Sequence, residues 1–170
     1  MKLPEKFDIL IITLSDRAFR GEYEDHSGPK IREMTEKFFH SMKAGSNITQ
    51  VLIPDDADML RETVLNSLDK FNIIFTTGGT GIGPRDITVE TITPLLTKEI
   101  PGVMEYIRVK YGSEKPNALL SRGVAGLIGR TLVYTLPGSV RAVNEYMMEI
   151  IKTLEHTLLM LYGIDSHKEV

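Results

Sequence analysis

The stretch Thr76-Thr77-Gly78-Gly79-Thr80-Gly81-Ile82-Gly83-Pro84-Arg85-Asp86 holds the residues best suited to chemistry. Glycines let a backbone approach a ligand closely, and their N–H groups can face phosphate oxygens. The threonines add hydroxyl donors, and Asp86, just beyond, can hold a metal ion. An anion-binding loop beside a carboxylate is what magnesium-dependent phosphate chemistry needs. The loop is not a Walker A motif, because no Gly-Lys-Ser/Thr closes it. It is not a dinucleotide fingerprint, because the glycines at 79, 81 and 83 have the wrong spacing. A plain strand-to-helix turn is the competing reading. Four glycines, three threonines and an Arg-Asp pair within this one stretch weigh against it.

Other short polar clusters can join this loop: Ser15-Asp16-Arg17, Asp55-Asp56, Ser121-Arg122 and Pro137-Gly138-Ser139. Each has a plainer role open to it. Asp16 can cap a turn, Asp55 can end a strand, Asp56 can cap a helix, and Ser139 can be an N-cap. Ser121 and Arg122 suit a solvated loop equally well. Arg85 can neutralise phosphate charge or pair with Asp86. His26, His40, His156 and His167 lack metal-ligand spacing and are expected at the surface.

The elements between these clusters decide where they sit. Phe7 to Leu14 is an isoleucine-rich run, expected as a central parallel strand buried on both faces. Ser15 to Pro29 is expected as a polar loop, its acidic part from Glu22 to Asp25 solvated or ordering over a ligand. Helices are predicted from Lys30 to Met42, Asp56 to Leu68, Thr88 to Leu96, Pro101 to Tyr111 and Ser139 to Tyr162. Short strands are predicted at Val51 to Ile53 and Ile73 to Thr76. Gly123 to Ile128 and Thr131 to Leu136 flank Gly129-Arg130 as a hairpin. Met147, Met148 and Met160 are expected in the core or a subunit contact, and the polar residues after Gly163 are expected to fray. This alternation predicts one α/β domain over residues 1–170: a three-layer, doubly wound, mostly parallel sheet with helices on both faces. Ligands in such sheets sit beyond the carboxyl ends of the strands. Ser15-Asp16, Asp55, the glycine loop and Pro137-Gly138-Ser139 all fall there.

A chain of 170 residues suits one domain with a real core. A hydrophobic share of 42% argues against disorder. The net charge of -3 carries no basic bias for nucleic acid. Without cysteine there is no disulfide and no thiolate-held metal site, which suits a reducing cytoplasm. Met1 to Lys6 shows no signal-peptide pattern, and no apolar run approaches a membrane span, so no membrane partner is expected.

Ser15-Asp16-Arg17-Ala18, Asp25-x-Ser27-Gly28-Pro29, Ile53-Pro54-Asp55, Thr77-Gly78-Gly79-Thr80-Gly81, Pro84-Arg85-Asp86-x-Thr88, Leu120-Ser121-Arg122 and Leu136-Pro137-Gly138-Ser139 occur in this order. Together they resemble the molybdopterin adenylyltransferase family, over about Phe7 to Tyr162. The glycine loop alone is shared among molybdopterin-binding domains. The Pro-Arg-Asp continuation and the Ser-Asp-Arg-Ala opening resemble the adenylyltransferase branch. The resemblance implies transfer of AMP from ATP to the terminal phosphate of molybdopterin, with release of pyrophosphate, in molybdenum cofactor synthesis. It implies Mg²⁺, with Asp55 and Asp86 as the essential carboxylates. It implies substrate contacts from Ser15, Asp16, Thr77, Gly78, Gly79, Thr80, Gly81, Arg85, Ser121, Arg122, Pro137, Gly138 and Ser139. A homotrimer, with a hexamer as the variant, and a downstream molybdenum-inserting enzyme complete the expectation. A non-catalytic molybdopterin carrier is the alternative. One departure is Val103-Met104 before Glu105, where many relatives carry an aromatic or leucine and often a glycine. Met104 is therefore expected to alter the pocket wall or an oligomer contact.

The implied chemistry asks little of the side chains as bases. A phosphate monoester has its second pKa near ~6, so the acceptor is a dianion at neutral pH and already a nucleophile. The difficulty is bringing two anions together, which a divalent cation and hydrogen-bond donors meet. Two aspartates match what Mg²⁺ takes beside phosphate oxygens and water.

Overall fold

Lys6–Leu14 forms β1, the strand around which the sheet is laid out. The structure, a computed structural model, describes residues 2–164. β1 pairs in parallel with β2 (Gly45–Ile53) on one side and with β3 (Ile73–Thr77) on the other. β6 (Thr131–Leu136) runs parallel beside β3. β5 (Ala125–Ile128) returns antiparallel to β6, and the two-residue β4 (Lys98–Glu99) lies antiparallel to β5. The sheet order is β2-β1-β3-β6-β5-β4, mostly parallel as expected.

Side chains alternate across a strand, so an unbroken apolar run must be covered on both faces. Phe7, Ile9 and Ile11 of β1 enter one core, while Leu10, Ile12 and Leu14 enter the other. The first core is covered by α2 (Ser27–Ser41), α5 (Pro101–Gly112) and α6 (Val140–Leu161), through Ile31, Phe39, Ile107, Ile150 and Leu154. The second is covered by α3 (Ala57–Leu65) and α4 (Thr88–Ile92), through Leu60, Val64 and Ile92. Each such fully buried aliphatic side chain contributes about 1.5–3 kcal/mol. The ends of β1, β3 and β6 are therefore firm supports for the loops that follow them.

Several boundaries differ from expectation, each for a local reason. β2 spans nine residues, although its only continuous apolar run is Val51 to Ile53, with Ile48 standing alone among polar neighbours. It is an edge strand whose Ser46, Asn47, Thr49 and Gln50 are at least partly exposed, and backbone pairing to β1 carries it. The segment read as a loop from Ser15 holds a one-turn helix, α1 (Asp16–Phe19), capped by the Ser15 hydroxyl on the Ala18 amide. α2 starts three residues before Lys30 because the Asp25 carboxylate accepts the amides of Ser27 and Gly28. α4 ends at Ile92 and tightens into a 3-10 turn over Thr93–Leu95, where Pro94 has no N–H to give. α3 stops at Leu65, short of Leu68. β4 and a 3-10 segment over Pro116–Leu120 were not anticipated. Asp56 and Ser139 do cap α3 and α6, on the amides of Met59 and Ala142. The hairpin turns at Gly129, with φ 59°. Met147 lies in the first core, whereas Met148 and Met160 are exposed. His26, His40 and His156 are exposed. His167 and the tail beyond Ile164 lie outside the described residues. Among the described residues no helix is long and apolar enough to cross a membrane.

Candidate active site

The strand order reverses at β1, with β2 on one side and β3 on the other. Loops leaving the carboxyl ends of β1 and β3 diverge there and open a crevice. A cleft of about 750 Å³ occupies this position. Ser15, Asp55, Gly78, Gly79, Thr80, Gly81, Arg85, Asp86, Ser121, Pro137, Gly138 and Ser139 all line it. Thus five chain segments distant in sequence meet at one place.

The glycine loop is shaped by its neighbours as much as by any ligand. Gly78 and Gly79 have φ of 103° and 66°, a region that disfavours side chains. A Cβ on Gly78 would lie 2.3 Å from the Leu14 carbonyl oxygen, and one on Gly79 would lie 2.4 Å from Thr88 Oγ1. Thr88 then pins the loop, donating its hydroxyl to Gly78 O at 2.8 Å and its amide to Gly79 O at 3.0 Å. The amides of Gly79, Thr80, Gly81 and Ile82 have no acceptor among the described residues, which leaves them for a bound anion. Ser139 caps α6 beside them and lines the same cleft.

Two carboxylates stand on different walls. Asp86 accepts the Gly83 amide at Oδ2, 2.7 Å away, and returns its own amide to Gly83 O. Asp55 accepts the Asp16 amide at Oδ2, and Asp16 Oδ1 accepts the Asp55 amide, both at 3.0 Å. Burial pushes the Asp55 carboxyl above the ordinary aspartate range, and the Asp16 and Asp86 charges add to this against the Asp16 amide and Arg85. The hydrogen bond from the Asp55 amide holds Asp16 below that range, with Arg85 assisting. Arg85 does not pair with Asp86. Its guanidinium reaches Asp16 Oδ2, at 2.6 Å and 2.9 Å, because the turn after Pro84 aims it across the loops.

Asp55 and Asp86 bring two carboxylates to the same cleft as the unpaired loop amides, a donor set compatible with a divalent cation that also takes ligand oxygens. Among the described residues no group of three or more His, Cys, Asp or Glu side chains could form an all-protein cage. One or two carboxylates plus ligand oxygens is the pattern Mg²⁺ prefers.

Three expected contact residues do not line the cleft. Thr77 is buried and donates its hydroxyl to Pro137 O at 2.8 Å, joining the ends of β3 and β6. Arg122 braces the glycine loop from outside, donating Nε to Gly81 O at 2.8 Å and pairing with Glu90. Asp16 is bonded to the cleft-lining Asp55 without lining the cleft itself. Met104 is buried in the first core and lines a separate hollow with Arg108 and Val124, so it forms no part of this cleft. Tyr23 and Asn117 line the cleft without having been singled out, and Leu120, quoted only as part of a motif, lines it too. Tyr23 bonds Ser15 Oγ through its hydroxyl at 2.8 Å, under the Arg17 guanidinium. A lone aromatic in an acidic loop was its available signal; Asn117 had none.

The fold is a doubly wound α/β sheet with a polar cleft, lined by glycine-loop amides and aspartates, at its switch point. Residues 10–156 match the family described as a probable molybdopterin binding domain, and the chain belongs to that family. It is 35% identical over 153 residues to molybdenum cofactor synthesis protein cinnamon of Drosophila melanogaster, covering 89% of this chain and 25% of that protein. The chain spans between 23% and 49% of the length of several larger curated relatives. It is 36% identical to molybdenum cofactor biosynthesis protein B of Staphylococcus carnosus, with 89% and 88% of the two chains covered. It is 28% identical to a molybdopterin adenylyltransferase of Helicobacter pylori, with 90% and 86% covered. A solved structure of the molybdopterin biosynthesis enzyme MoaB from Thermus thermophilus superposes with a TM-score of 0.80 at 37% identity, covering 92% of this chain and 97% of that one.

Proposed function

We propose that this protein transfers AMP from ATP to the terminal phosphate of molybdopterin, in molybdenum cofactor biosynthesis. The carrying observation is that Asp55 and Asp86 line the same cleft as the free amides of the glycine loop. Holding a pterin phosphate needs the amides alone; the carboxylate pair suits a metal–nucleotide partner. The name of the Helicobacter pylori relative supports the same reaction class.

A terminal phosphate oxygen of molybdopterin forms a bond to the α-phosphorus of ATP. The bond from that phosphorus to the α,β-bridging oxygen breaks, and pyrophosphate leaves with its electron pair. No proton moves, which fits a cleft without histidine or lysine among its lining residues. The amides of Gly79 to Ile82 take up charge on phosphate oxygens, already oriented by Thr88 and Arg122. Asp55 and Asp86 are the residues that would hold Mg²⁺, and the cation when bound supplies charge neutralisation between the two anions. Tyr23, Leu120 and Ile82 offer apolar surface to ring systems.

The same reading has the protein work in the cytoplasm as a homotrimer, or a hexamer, and pass its product to a molybdenum-inserting enzyme. Exposed Tyr106 and Val109 on α5, and exposed Leu119, support a subunit contact. ATP labelled at the α-phosphate tests the reaction. Label is expected in the pterin product; label found only in free AMP would reject the transfer.

A further inference from the structure

We infer that Asp16 and Arg85 form a clasp that positions Asp55 relative to Asp86, and that neither is a phosphate contact. The inference rests on the reading of Asp55 and Asp86 as the metal-holding pair. Reciprocal bonds between Asp16 and Asp55, each from one residue's amide to the other's carboxylate at 3.0 Å, tie the loop after β1 to the loop after β2. They commit Asp55 Oδ2 and leave Oδ1 for a ligand. Arg85 adds the third loop. Its Nε and Nη2 reach Asp16 Oδ2 at 2.9 Å and 2.6 Å, and Nη2 also donates to Asp55 O at 3.0 Å. Because Arg85 adjoins Asp86 in the chain, one guanidinium fixes how far the Asp86 wall stands from the Asp55 wall.

Two considerations separate this role from the others open to Arg85. Its side chain is 65% exposed, though that of Asp16 is 23% exposed, and a pair open on one side contributes modestly to stability. Its three bonds, two to Asp16 Oδ2 and one to Asp55 O, fix a geometry. A phosphate clamp is also poorly served. Nε and Nη2 are already committed, and a carboxylate 2.6 Å from the guanidinium offsets the charge an anion would seek.

Outer residues that orient metal ligands typically change metal affinity by about 10–100-fold when removed. Binding of Mn²⁺ alone, followed by loss of the free-ion electron paramagnetic resonance signal, is measured for wild type, Arg85→Ala, Asp16→Asn, Arg85→Lys and the Arg85→Ala/Asp16→Asn double variant. Each single change is expected to raise the Mn²⁺ Kd and the half-saturating Mg²⁺ by about 10–100-fold. KM for ATP and molybdopterin at saturating metal is expected to stay put. Arg85→Lys keeps the charge but loses the planar fork, so it is expected to behave like Arg85→Ala. The double variant is expected to match the singles, as members of one unit do. Unchanged Mn²⁺ binding with a raised substrate KM, or a fully restored Lys variant, would overturn the clasp and leave the metal pair standing. A wild-type protein that binds no Mn²⁺, either alone or with a non-hydrolysable ATP analogue present, would overturn the metal pair and the clasp together.

Discussion

Replacing Gly78 by alanine is expected to be the most damaging one-carbon change in the protein. Two costs combine at this residue. Its φ of 103° is a region where a side chain is strained, by about 1–3 kcal/mol. Its added Cβ would also sit 2.3 Å from the Leu14 carbonyl oxygen. Ordinary C···O contacts begin near ~3.3 Å, so about 1 Å of separation must be found. The obstacle is the backbone end of β1, held by β2 and β3 on either side, and not a side chain that can swing away. Overpacking of this kind costs about 1–3 kcal/mol more. A 1 Å misplacement of the glycine loop costs about 100-fold in catalysis. Two other glycines separate the contributions. Gly21 has φ of 74° with nothing within 4 Å of its added Cβ, so Gly21→Ala isolates the strain, about 1–2 kcal/mol. Gly102, in α5, has neither strain nor neighbour within 4 Å, so Gly102→Ala is expected to gain about 0.5–1 kcal/mol. Urea denaturation ranks the three, and AMP transfer reports the loop. A Gly78→Ala protein as stable as Gly21→Ala and fully active would refute the assigned origin of the loop's shape.

Asp86→Asn is expected to abolish AMP transfer while molybdopterin affinity, by titration calorimetry, changes only a few-fold; retained transfer would remove Asp86 from the metal pair. Burial pushes the Asp25 carboxyl up, but hydrogen bonds from Thr13, Ser27 and Gly28 outweigh it and hold it below the ordinary range. A carboxylate lowered on folding contributes stability that is complete above its unfolded value and lost as pH falls through its folded value. Asp25→Asn is expected to cost about 1 kcal/mol at neutral pH, discounted because the group is only half-buried. That deficit should shrink as denaturation is repeated below the ordinary aspartate range; a constant deficit would contradict the linkage. Ser139→Ala removes the cap on the Ala142 amide and is expected to lower stability by about 1 kcal/mol, read from urea midpoints.

The layered sheet was legible because β1 from Phe7 on, Asp8 and Thr13 apart, and the Ile73-Ile74-Phe75 start of β3 are apolar on both faces. Phe7 to Leu14 and Ile73 to Phe75 could hardly be anything but interior strands. β2 was underread because an edge strand carries Asn47 and Gln50 at little cost, and its pairing is written in β1's backbone rather than its own side chains. The cleft's loops were legible through their polar breaks at strand ends. The roles within them were less so, since composition does not reveal direction. Thr77 and Thr80 look alike in the chain, yet one joins two strands and the other meets Ser121. Arg85 sits beside Asp86 but bonds Asp16, 69 residues away, a choice made only once three loops are brought together.

Pyrophosphate release in the presence of ATP and Mg²⁺, with and without molybdopterin, tests the central claim most directly. The predicted result is release that depends on the pterin and matches the adenylylated product mole for mole. Tight molybdopterin binding with no release would contradict it and make the protein a carrier of the pterin.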